Sequence, residues 1–260
     1  MGVLDGKVAI VTGIGSGMGR SVALRFAAEG AQLVLGARRE AYLQEVAAEV
    51  RAIGPEPLVC PVDLGREDSC ANLVARTLEH FGGVDVFVQN GHHQGDWKPM
   101  MDSNAAVWRE TMEVNLFGAF TIVQGIVPSM IERGGGRIVL VNSGAIFSNP
   151  QLLGAYSASK AALASLARTL AVELGHSGIL VNSLTLGATQ GDNTTGAIAP
   201  EGTSDEERAR LVAAKGAAMP LGHMPTPEEC SGAVMFLVSP LADAITGQNL
   251  VVNGGQWLTV

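Results

Sequence analysis

The chain has 260 residues, of which 47% are hydrophobic and 16% are charged, with a mean hydropathy of +0.25 and a formal net charge of -8. This composition is too apolar for a disordered protein, and the negative charge argues against a nucleic-acid partner. We find no uninterrupted apolar run near the ~18 residues of a membrane span and no visible secretory signal, so we expect no membrane partner and a cytoplasmic location.

The cysteines and histidines show no spacing typical of metal sites. Cys60, Cys70 and Cys230 are far apart and form no CxxC pair, which favours buried, reduced thiols. His92 and His93 are adjacent, but no third ligand follows at helical spacing. We therefore expect no metal.

Short β-branched segments alternate along the chain with amphipathic ones. The former predict buried strands at residues 8–12, 32–36, 57–62, 84–88, 137–141, 179–184 and 249–252. Between most of them the apolar spacing predicts helices, as for Met18, Val22 and Phe26 on one face and for residues 41–52 and 68–81. This alternation predicts an α/β fold: a doubly wound, seven-stranded parallel sheet with helices on both faces.

No linker or composition break divides the sequence, so we expect one domain over residues 1–260. One long connection without strands covers residues 187–219, a length typical of a lid or of disorder. Within it, Ser204 and Glu207 form a capping-box pattern that predicts a short helix ending near Lys215.

A second capping-box pattern follows the connection. Thr226, Pro227 and Glu229 stand at the spacing that opens a helix, so the last helix is predicted to begin there.

The first predicted strand runs through Thr12 into a glycine-rich turn and directly into a helix. Glycines allow a backbone to approach a ligand closely, and a helix N-terminus offers free N–H groups to a pyrophosphate. Strand, glycine turn and helix in this order favour a dinucleotide site over the alternative, an ordinary tight turn. The spacing Gly13-x3-Gly17-x-Gly19 differs from GxGxxG.

That spacing, taken with Asn115, Ser143 and Tyr156-x3-Lys160, resembles the short-chain dehydrogenase/reductase family, a single-domain branch of the Rossmann fold. The resemblance extends from Lys7 to Gly255. It implies a nicotinamide cofactor and an oxidoreductase in which Ser143, Tyr156, Lys160 and Asn115 are catalytic. It also implies cofactor contacts at Gly13, Ser16, Gly17, Met18, Gly19, Arg38, Arg39, Asp63, Leu64, Asn90, Gly91, Tyr156, Lys160, Gly187 and Thr189.

Physical reasoning supports the same catalytic roles. Tyr156 and Lys160 are at i and i+4 of a predicted helix over residues 156–175, so they share a face. An ammonium about 5 Å from the phenol would lower the pKa of Tyr156 by about two units, which makes it an acid or base near neutrality. Ser143 ends a predicted strand and would hold the substrate oxygen. In the family, Lys160 also binds the nicotinamide ribose, and Asn115 anchors a water in the proton relay.

Each of these residues has a structural alternative. A lone Tyr-x3-Lys pair is usually helix surface, a strand-end Ser143 is usually a cap or turn residue, and Asn115 alone could be a buried hydrogen-bonding residue. Ser143 lacks the GxSxG pattern of a hydrolase nucleophile. The ordered set of motifs favours the catalytic interpretation.

The residues after the second strand favour NADP(H) over NAD(H). Ala37 stands where an acidic residue would bind the adenosine 2'-hydroxyl, and Arg38, more than Arg39, would clamp a 2'-phosphate. The alternative is that both arginines are solvated helix-start residues, because Ser16 replaces a basic residue common in NADP-dependent relatives. Asp63 matches the adenine-contacting Asp of the family.

Two segments depart from the family pattern. Residues 89–92 read Gln-Asn-Gly-His where relatives usually have Asn-Asn-Ala-Gly, and Leu186-Gly187 replaces the usual Pro-Gly. Thr189 would contact the carboxamide through its backbone, with Thr194 as a further candidate.

The sequence thus predicts an enzyme that interconverts a secondary alcohol and a ketone. A small, neutral, partly hydrophobic substrate fits the predicted pocket residues His92, His93, Trp97, Ala145 and Leu153. The alternatives are a non-catalytic dinucleotide sensor or interaction protein on the same fold, and an isomerase or dehydratase. Apolar helices near residues 104–131 and 156–175 predict a homotetramer, with a dimer as the alternative.

Overall fold

A computed structural model describes residues 2–199 and 202–258. The strands are β1 (Val8–Thr12), β2 (Gln32–Ala37), β3 (Leu58–Pro61), β4 (Val86–Gln89), β5 (Gly136–Ser143), β6 (Ile179–Leu186) and β7 (Asn249–Val252). The α-helices are α1 (Met18–Ala28), α2 (Glu40–Arg51), α3 (Glu67–Phe81), α4 (Ala105–Met112), α5 (Gly118–Glu132), α6 (Ala145–Ser148), α7 (Gly154–Leu174), α8 (Asp192–Ile198), α9 (Asp205–Ala217) and α10 (Pro227–Val238). A π-helical segment, Glu113–Phe117, joins α4 to α5, and 3-10 turns form at Met100–Asp102, Gly175–Ser177 and Pro240–Ala242.

The strands form one seven-stranded sheet in the order β3-β2-β1-β4-β5-β6-β7, and every described pair is parallel. The predicted doubly wound sheet is confirmed. The chain order reverses between β1 and β4, where Thr12 pairs with Gln89. Ligands of such sheets bind in the crevice that this reversal leaves at the carboxyl ends of the strands.

Alternate side chains of each strand enter cores on opposite faces of the sheet. Helices α1, α2 and α10 cover one face, where Val22 and Phe26 pack with sheet residues such as Val11. Helices α3, α5 and α7 cover the other face, where Ile122 and Leu163 pack with sheet residues. This placement explains why the parallel strands are apolar on both sides.

Several boundaries differ from the predicted ones. β5 and β6 each continue two residues further at their carboxyl ends, so Ser143 pairs with Leu186. These extensions bring the predicted catalytic serine beside the start of the 187–219 connection. α6 and α8 were not predicted; both are short, and α8 contains a glycine and two threonines, which favour helix weakly.

The two predicted capping boxes have different outcomes. At α10 the box is complete, because the Thr226 side chain accepts from Glu229 N–H and the Glu229 carboxylate accepts from Thr226 N–H. At α9 the Ser204 hydroxyl accepts from Glu207 N–H, but the Glu207 carboxylate binds Arg210. The α9 cap is therefore only half of the predicted box, because Arg210, three residues after Glu207, binds the Glu207 carboxylate.

One described helical stretch, Ala105–Glu132, is long and apolar enough to cross a membrane by length and composition, with a hydropathy of 1.6. The sequence predicts an apolar helix near residues 104–131 but no membrane span. Within this stretch, 44% of the most apolar 18-residue segment is buried inside the protein, and Ala119, Ile122 and Ile126 lie in the core. Core packing against the sheet accounts for its apolar character. The cytoplasmic location stays a prediction.

Candidate active site

The glycine-rich turn between β1 and α1 forms a tight cradle. Gly13 has φ 71°, and a Cβ atom built on it would overlap Gly91 N; one built on Gly19 would overlap Gly13 O. Gly15 has no neighbour within 4 Å of such an atom, and Gly17 has only Pro227 Cγ at 3.8 Å. The turn is thus tightly packed at Gly13 and Gly19 and open at Gly15 and Gly17.

The open side of this turn lies at the start of α1. Gly17 is the N-cap of α1, no side chain of the described residues caps this end, and the first turn of α1 holds no acidic residue. The N–H groups at Met18 and Gly19 therefore face no competing carboxylate in the first turn, and they carry the positive end of the helix dipole. A pyrophosphate fits this combination of open glycines and an uncapped helix.

The departure at residues 89–92 has a structural role in the cradle. Thr12 Oγ1 donates to Gln89 Oε1 at 2.6 Å, and Gln89 Nε2 donates to Gly91 O at 3.2 Å. Asn90 Nδ2 donates to Gly13 O at 2.8 Å. The longer Gln89 side chain thus ties the end of β1 to the loop after β4.

The adenosine end of the predicted cofactor site carries two exposed arginines. Arg39 lies over the ring of Tyr42, 5.2 Å from its centroid. Arg38 has no hydrogen-bond or ion-pair partner among the described residues and remains available for an anion. Asp63 Oδ1 accepts from Gly65 N–H at 3.0 Å, and the next residue, Leu64, is buried beside Gly91.

Ser143, Tyr156 and Lys160 converge at the carboxyl end of β5. The Ser143 side chain interacts with the Tyr156 hydroxyl and acts to lower the pKa of Tyr156, and Ser143 Oγ accepts from Ala145 N–H at 3.2 Å. Lys160 Nζ lies 5.9 Å from the centre of the Tyr156 ring and donates to Val141 O at 2.8 Å. Tyr156 and Lys160 point inward from α7, with Lys160 only 2% exposed.

These surroundings change the ionisation of both groups. Burial raises the pKa of Tyr156 above its ordinary value, and the interaction with the Ser143 hydroxyl opposes that rise. Burial lowers the pKa of Lys160 to about 7. The structure does not bear out the predicted lowering of the Tyr156 pKa by Lys160: the buried ammonium loses much of its charge near neutrality, and it is bonded to Val141 O. Ser143 is the group that favours the phenolate.

Asn115 lies in the π-helical segment, whose wider turn interrupts the long helix. Its Nδ2 donates to His93 O at 2.9 Å and to Ser159 Oγ at 2.8 Å, and its Oδ1 accepts from His93 N–H at 2.7 Å. The side-chain amide thus joins the loop after β4 to α7. Because the side chain is engaged in this way, the backbone carbonyl is the better candidate to anchor a water.

The two histidines of that loop have different surroundings. The His92 ring meets the Tyr156 ring edge-on, with centroids 6.1 Å apart. Crowding in the cleft, and then the charge of Lys160, lowers the pKa of His92 below its ordinary value. His93 turns toward α4, where Nδ1 lies 3.1 Å from Thr111 Oγ1 and Nε2 lies 3.7 Å from Glu110.

The other predicted pocket residues lie on α6 and on neighbouring loops. Ala145 is buried next to Ser143, and Leu153 is the N-cap of α7. Trp97 is exposed with φ 49°, and Leu152 has φ 67°. Positive φ at a bulky residue is strained and is typical of functional loops.

Gly187 begins the 187–219 connection beside this centre. Its N–H donates to Val252 O at 3.0 Å, and a Cβ atom there would lie 2.6 Å from Asn253 Cβ. Thr189 Oγ1 lies 3.4 Å from Gly187 O and 3.8 Å from Cys230 Sγ. Among the described residues, no three potential metal-binding side chains converge.

The comparisons with known proteins agree with this arrangement. The family model described as "Enoyl-(Acyl carrier protein) reductase" matches residues 13–256. A "Dehydrogenase/reductase SDR family member 4" of Bos taurus is 34% identical over 253 residues, which cover 97% of this chain and 88% of that protein. The chain belongs to the short-chain dehydrogenase/reductase family.

Solved structures of other short-chain dehydrogenases superpose closely. A 7 alpha-hydroxysteroid dehydrogenase complexed with NADH and 7-oxo glycochenodeoxycholic acid is 32% identical, with a TM-score of 0.88 over 98% of this chain and 97% of that chain. An NAD+-bound xylitol dehydrogenase is 27% identical, with a TM-score of 0.88 over 97% of this chain and 99% of that chain. The 7alpha-hydroxysteroid dehydrogenase of Escherichia coli is 33% identical over 252 residues, 97% of this chain and 94% of that protein. This chain is accordingly a dinucleotide-dependent oxidoreductase of the family.

Sequence reasoning missed three residues of this short-chain dehydrogenase. Ser159 accepts from Asn115 Nδ2 and donates to Tyr156 O at 2.8 Å. Its position as a polar residue inside Tyr156-x3-Lys160 was an available signal. Gln89 was noted only as a departure, and Trp257, which packs on Gly144, carried no motif.

Proposed function

We propose that this short-chain dehydrogenase interconverts a secondary alcohol and a ketone and prefers NADP(H) to NAD(H). The observation that carries the proposal is the convergence of Ser143, Tyr156 and Lys160 at the carboxyl end of β5. This is the sheet edge that also bears the glycine cradle. A proton donor and a hydrogen-bond donor at that edge are the groups that carbonyl reduction requires.

In the proposed reduction the protein supplies the proton and orients the oxygen. A bound nicotinamide cofactor supplies the hydride to the carbonyl carbon. Tyr156 transfers its phenolic proton to the carbonyl oxygen, and the Ser143 hydroxyl holds that oxygen. Lys160, whose pKa lies near 7, can return a proton toward Tyr156. In alcohol oxidation the same proton moves back to the phenolate.

The cofactor preference rests on the two arginines after β2. Residue 37 is an alanine, which has no carboxylate or amide to bind an adenosine 2'-hydroxyl. The Arg38 guanidinium is exposed and has no protein partner among the described residues. A planar, permanently charged guanidinium suits a phosphate monoester. Arg39, held over Tyr42, would contribute less.

The substrate is proposed to be a small, neutral, partly hydrophobic ketone or alcohol. Among the described residues, Tyr156 has as neighbours Ser143, a His92 imidazole whose pKa is lowered, and the buried Lys160. We propose that residues 187–219, which start beside Ser143, act as a lid over this substrate. Protection of residues 190–199 from proteolysis by bound cofactor and substrate would support that role.

A panel of ketones with NADPH tests the proposal. The panel includes neutral cyclic ketones and phosphorylated sugars, and both cofactor oxidation and alcohol formation are measured. We expect one alcohol per NADPH oxidised, and only with the neutral members. Cofactor binding without turnover across the panel would favour the non-catalytic sensor, and product formation without cofactor consumption would favour an isomerase or dehydratase.

A further inference from the structure

The segment after β7 contacts the turn that follows Ser143. A Cβ atom built on Gly144 would overlap Cη2 of Trp257 and lie 2.7 Å from its Cζ2 and 2.9 Å from its Cζ3. The indole therefore occupies the space that a side chain at residue 144 would need. The Phe147 ring, on α6, lies 6.4 Å from the Trp257 ring between centroids.

Trp257 is held in this position by a buried asparagine. Asn253 Nδ2 donates to Trp257 O at 2.7 Å, and Asn253 Oδ1 accepts from Gly255 N–H at 2.9 Å. Gln256 N–H donates to Asn253 O at 2.9 Å. These bonds fold residues 253–257 into a compact turn whose outermost ring rests on Gly144.

The same turn contacts the origin of the proposed lid. Gln256 Oε1 accepts from Ala188 N–H at 2.8 Å, and Gly187 is packed against Asn253. Gly144 N–H in turn donates to Leu186 O at 2.9 Å. The C-terminal turn thus contacts both strand ends, β5 and β6, that flank the site.

Gly144 joins Ser143 to Ala145, whose N–H donates to the Ser143 hydroxyl. The same Ser143 side chain interacts with the Tyr156 hydroxyl. A shift of Gly144 would therefore move the Ser143 hydroxyl relative to the phenol. We propose that Trp257 is a positioning residue that holds the Ser143 hydroxyl against Tyr156; this inference rests on the proposed function.

The indole nitrogen does not explain this placement. Trp257 Nε1 is buried and has no hydrogen-bond partner among the described residues. The ring is held by its packing on Gly144 and by the backbone bonds of the turn. A phenylalanine at residue 257 would keep an aromatic ring without the nitrogen, so it serves as the conservative variant.

The first measurement reads the Tyr156 phenol directly. The chain has two tyrosines, so ¹³C-tyrosine labelling gives two ring signals, and Tyr42→Phe assigns them. Because the interaction with Ser143 favours the phenolate, Trp257→Ala should move the onset of Tyr156 titration to higher pH, in the same direction as Ser143→Ala. Trp257→Phe should restore most of that shift.

The second measurement is a kinetic double-mutant cycle between residues 144 and 257. Trp257→Ala should lower kcat by roughly 10- to 100-fold, the effect of a misplacement of about 1 Å, with cofactor affinity unchanged. Gly144→Ala should lower kcat similarly, because its methyl group would collide with the indole. The double variant should be no slower than the slower single variant, because the space for the methyl group is then free.

Leu258→Ala is the matched control, since the neighbouring side chain is 89% exposed and should leave all values unchanged. Cofactor binding and thermal melting show that each variant is folded. The inference is overturned if Trp257→Ala leaves the Tyr156 titration unshifted and kcat within about twofold of the parent. It is also overturned if the kcat loss of the double variant equals the product of the losses of Trp257→Ala and Gly144→Ala. If Ser143→Ala and Tyr156→Phe also retain full activity, the proposed function fails instead.

Discussion

At Tyr156, burial and the interaction with Ser143 have opposite effects on the pKa. Burial raises the pKa, so the free phenol stays protonated at neutral pH and is ready to act as an acid. Ketone reduction should therefore proceed at neutral pH and decline at alkaline pH, whereas alcohol oxidation, which needs the phenolate, should rise with pH. Profiles of kcat/KM against pH in both directions measure this. Alcohol oxidation that is fastest in acid would contradict it.

Arg38 is predicted to determine the cofactor preference. Arg38→Ala should weaken NADPH binding by roughly 10- to 150-fold, the loss of a charge-assisted contact of about 1.5 to 3 kcal/mol, and leave NADH binding nearly unchanged. Arg39→Ala is the comparison and should weaken NADPH binding less, because Arg39 lies over Tyr42. Calorimetry gives both affinities. Equal or tighter NADH binding to the unmutated protein would refute the preference.

Residue types, spacing and the family resemblance were enough to select Ser143, Tyr156, Lys160 and Asn115, whose catalytic roles stay predictions. They could not show the direction of the Tyr156 pKa, because that depends on burial by residues distant in the chain. They also placed His92 and His93 together, although the structure sends one ring to Tyr156 and the other to α4. Side-chain direction in a loop depends on its neighbours, which local sequence does not specify.

At the scale of elements, Asp85 joins three segments at the amino-terminal edge of the sheet. Its carboxylate accepts from Val8 N–H at 2.9 Å and from Arg133 Nη2 at 2.7 Å, and lies 3.3 Å from Lys7 Nζ. Burial alone would raise the pKa of Asp85, but the Arg133 hydrogen bond and these other partners lower it below its ordinary value. The stabilisation is therefore present at neutral pH and lost as pH falls through the acidic range.

Asp85→Asn should cost about 2 kcal/mol at neutral pH, less than a fully buried pair because Arg133 and Lys7 retain contact with water. The difference from the parent should begin to shrink as pH falls below about 4, the ordinary pKa of an unfolded Asp, and should disappear below the lowered pKa of folded Asp85. Denaturant unfolding at several pH values measures it. Asp243→Asn, at the surface pair with Arg137, is the control and should cost less than about 1 kcal/mol. A pH-independent difference would show that the charge is not responsible.

The elements most accessible to sequence were the strands, because a parallel sheet buried on both faces requires continuous apolar runs. β1 and β7 have the predicted bounds. The ends of β5 and β6 were missed because polar residues there, such as Asn142 and Thr185, interrupt the apolar pattern. Those extra residues are the ones that carry Ser143 to the site.

At the scale of the whole molecule, we propose that α4, α5 and α7 pair with a second copy in a homotetramer. Phe117, Phe120 and Val172 are exposed on or beside these helices, with Val172 82% exposed. A cavity of about 600 Å³ opens beside α4 and α7, with Trp108 and Ala161 in its wall. Exposed apolar surface of this kind marks interaction sites.

Light scattering should give a mass near four times the 26.9 kDa of the chain. Val172→Arg should shift the protein to smaller species, because it places a charge in the proposed interface. Ile53→Arg, at an exposed apolar residue after α2, is the control and should not. A 26.9 kDa species of the unmutated protein at micromolar concentration would rule out both tetramer and dimer.

The account depends most on Tyr156 as the proton-transfer group, and the rate of ketone reduction by Tyr156→Phe tests it most directly. The substitution removes only the hydroxyl, and Tyr42→Phe makes the same change at the other tyrosine. We predict that Tyr156→Phe slows reduction by ~100-fold or more, with unchanged melting temperature and NADPH affinity, while Tyr42→Phe stays close to the parent rate. Retention of more than about a tenth of the parent rate by Tyr156→Phe would contradict the account.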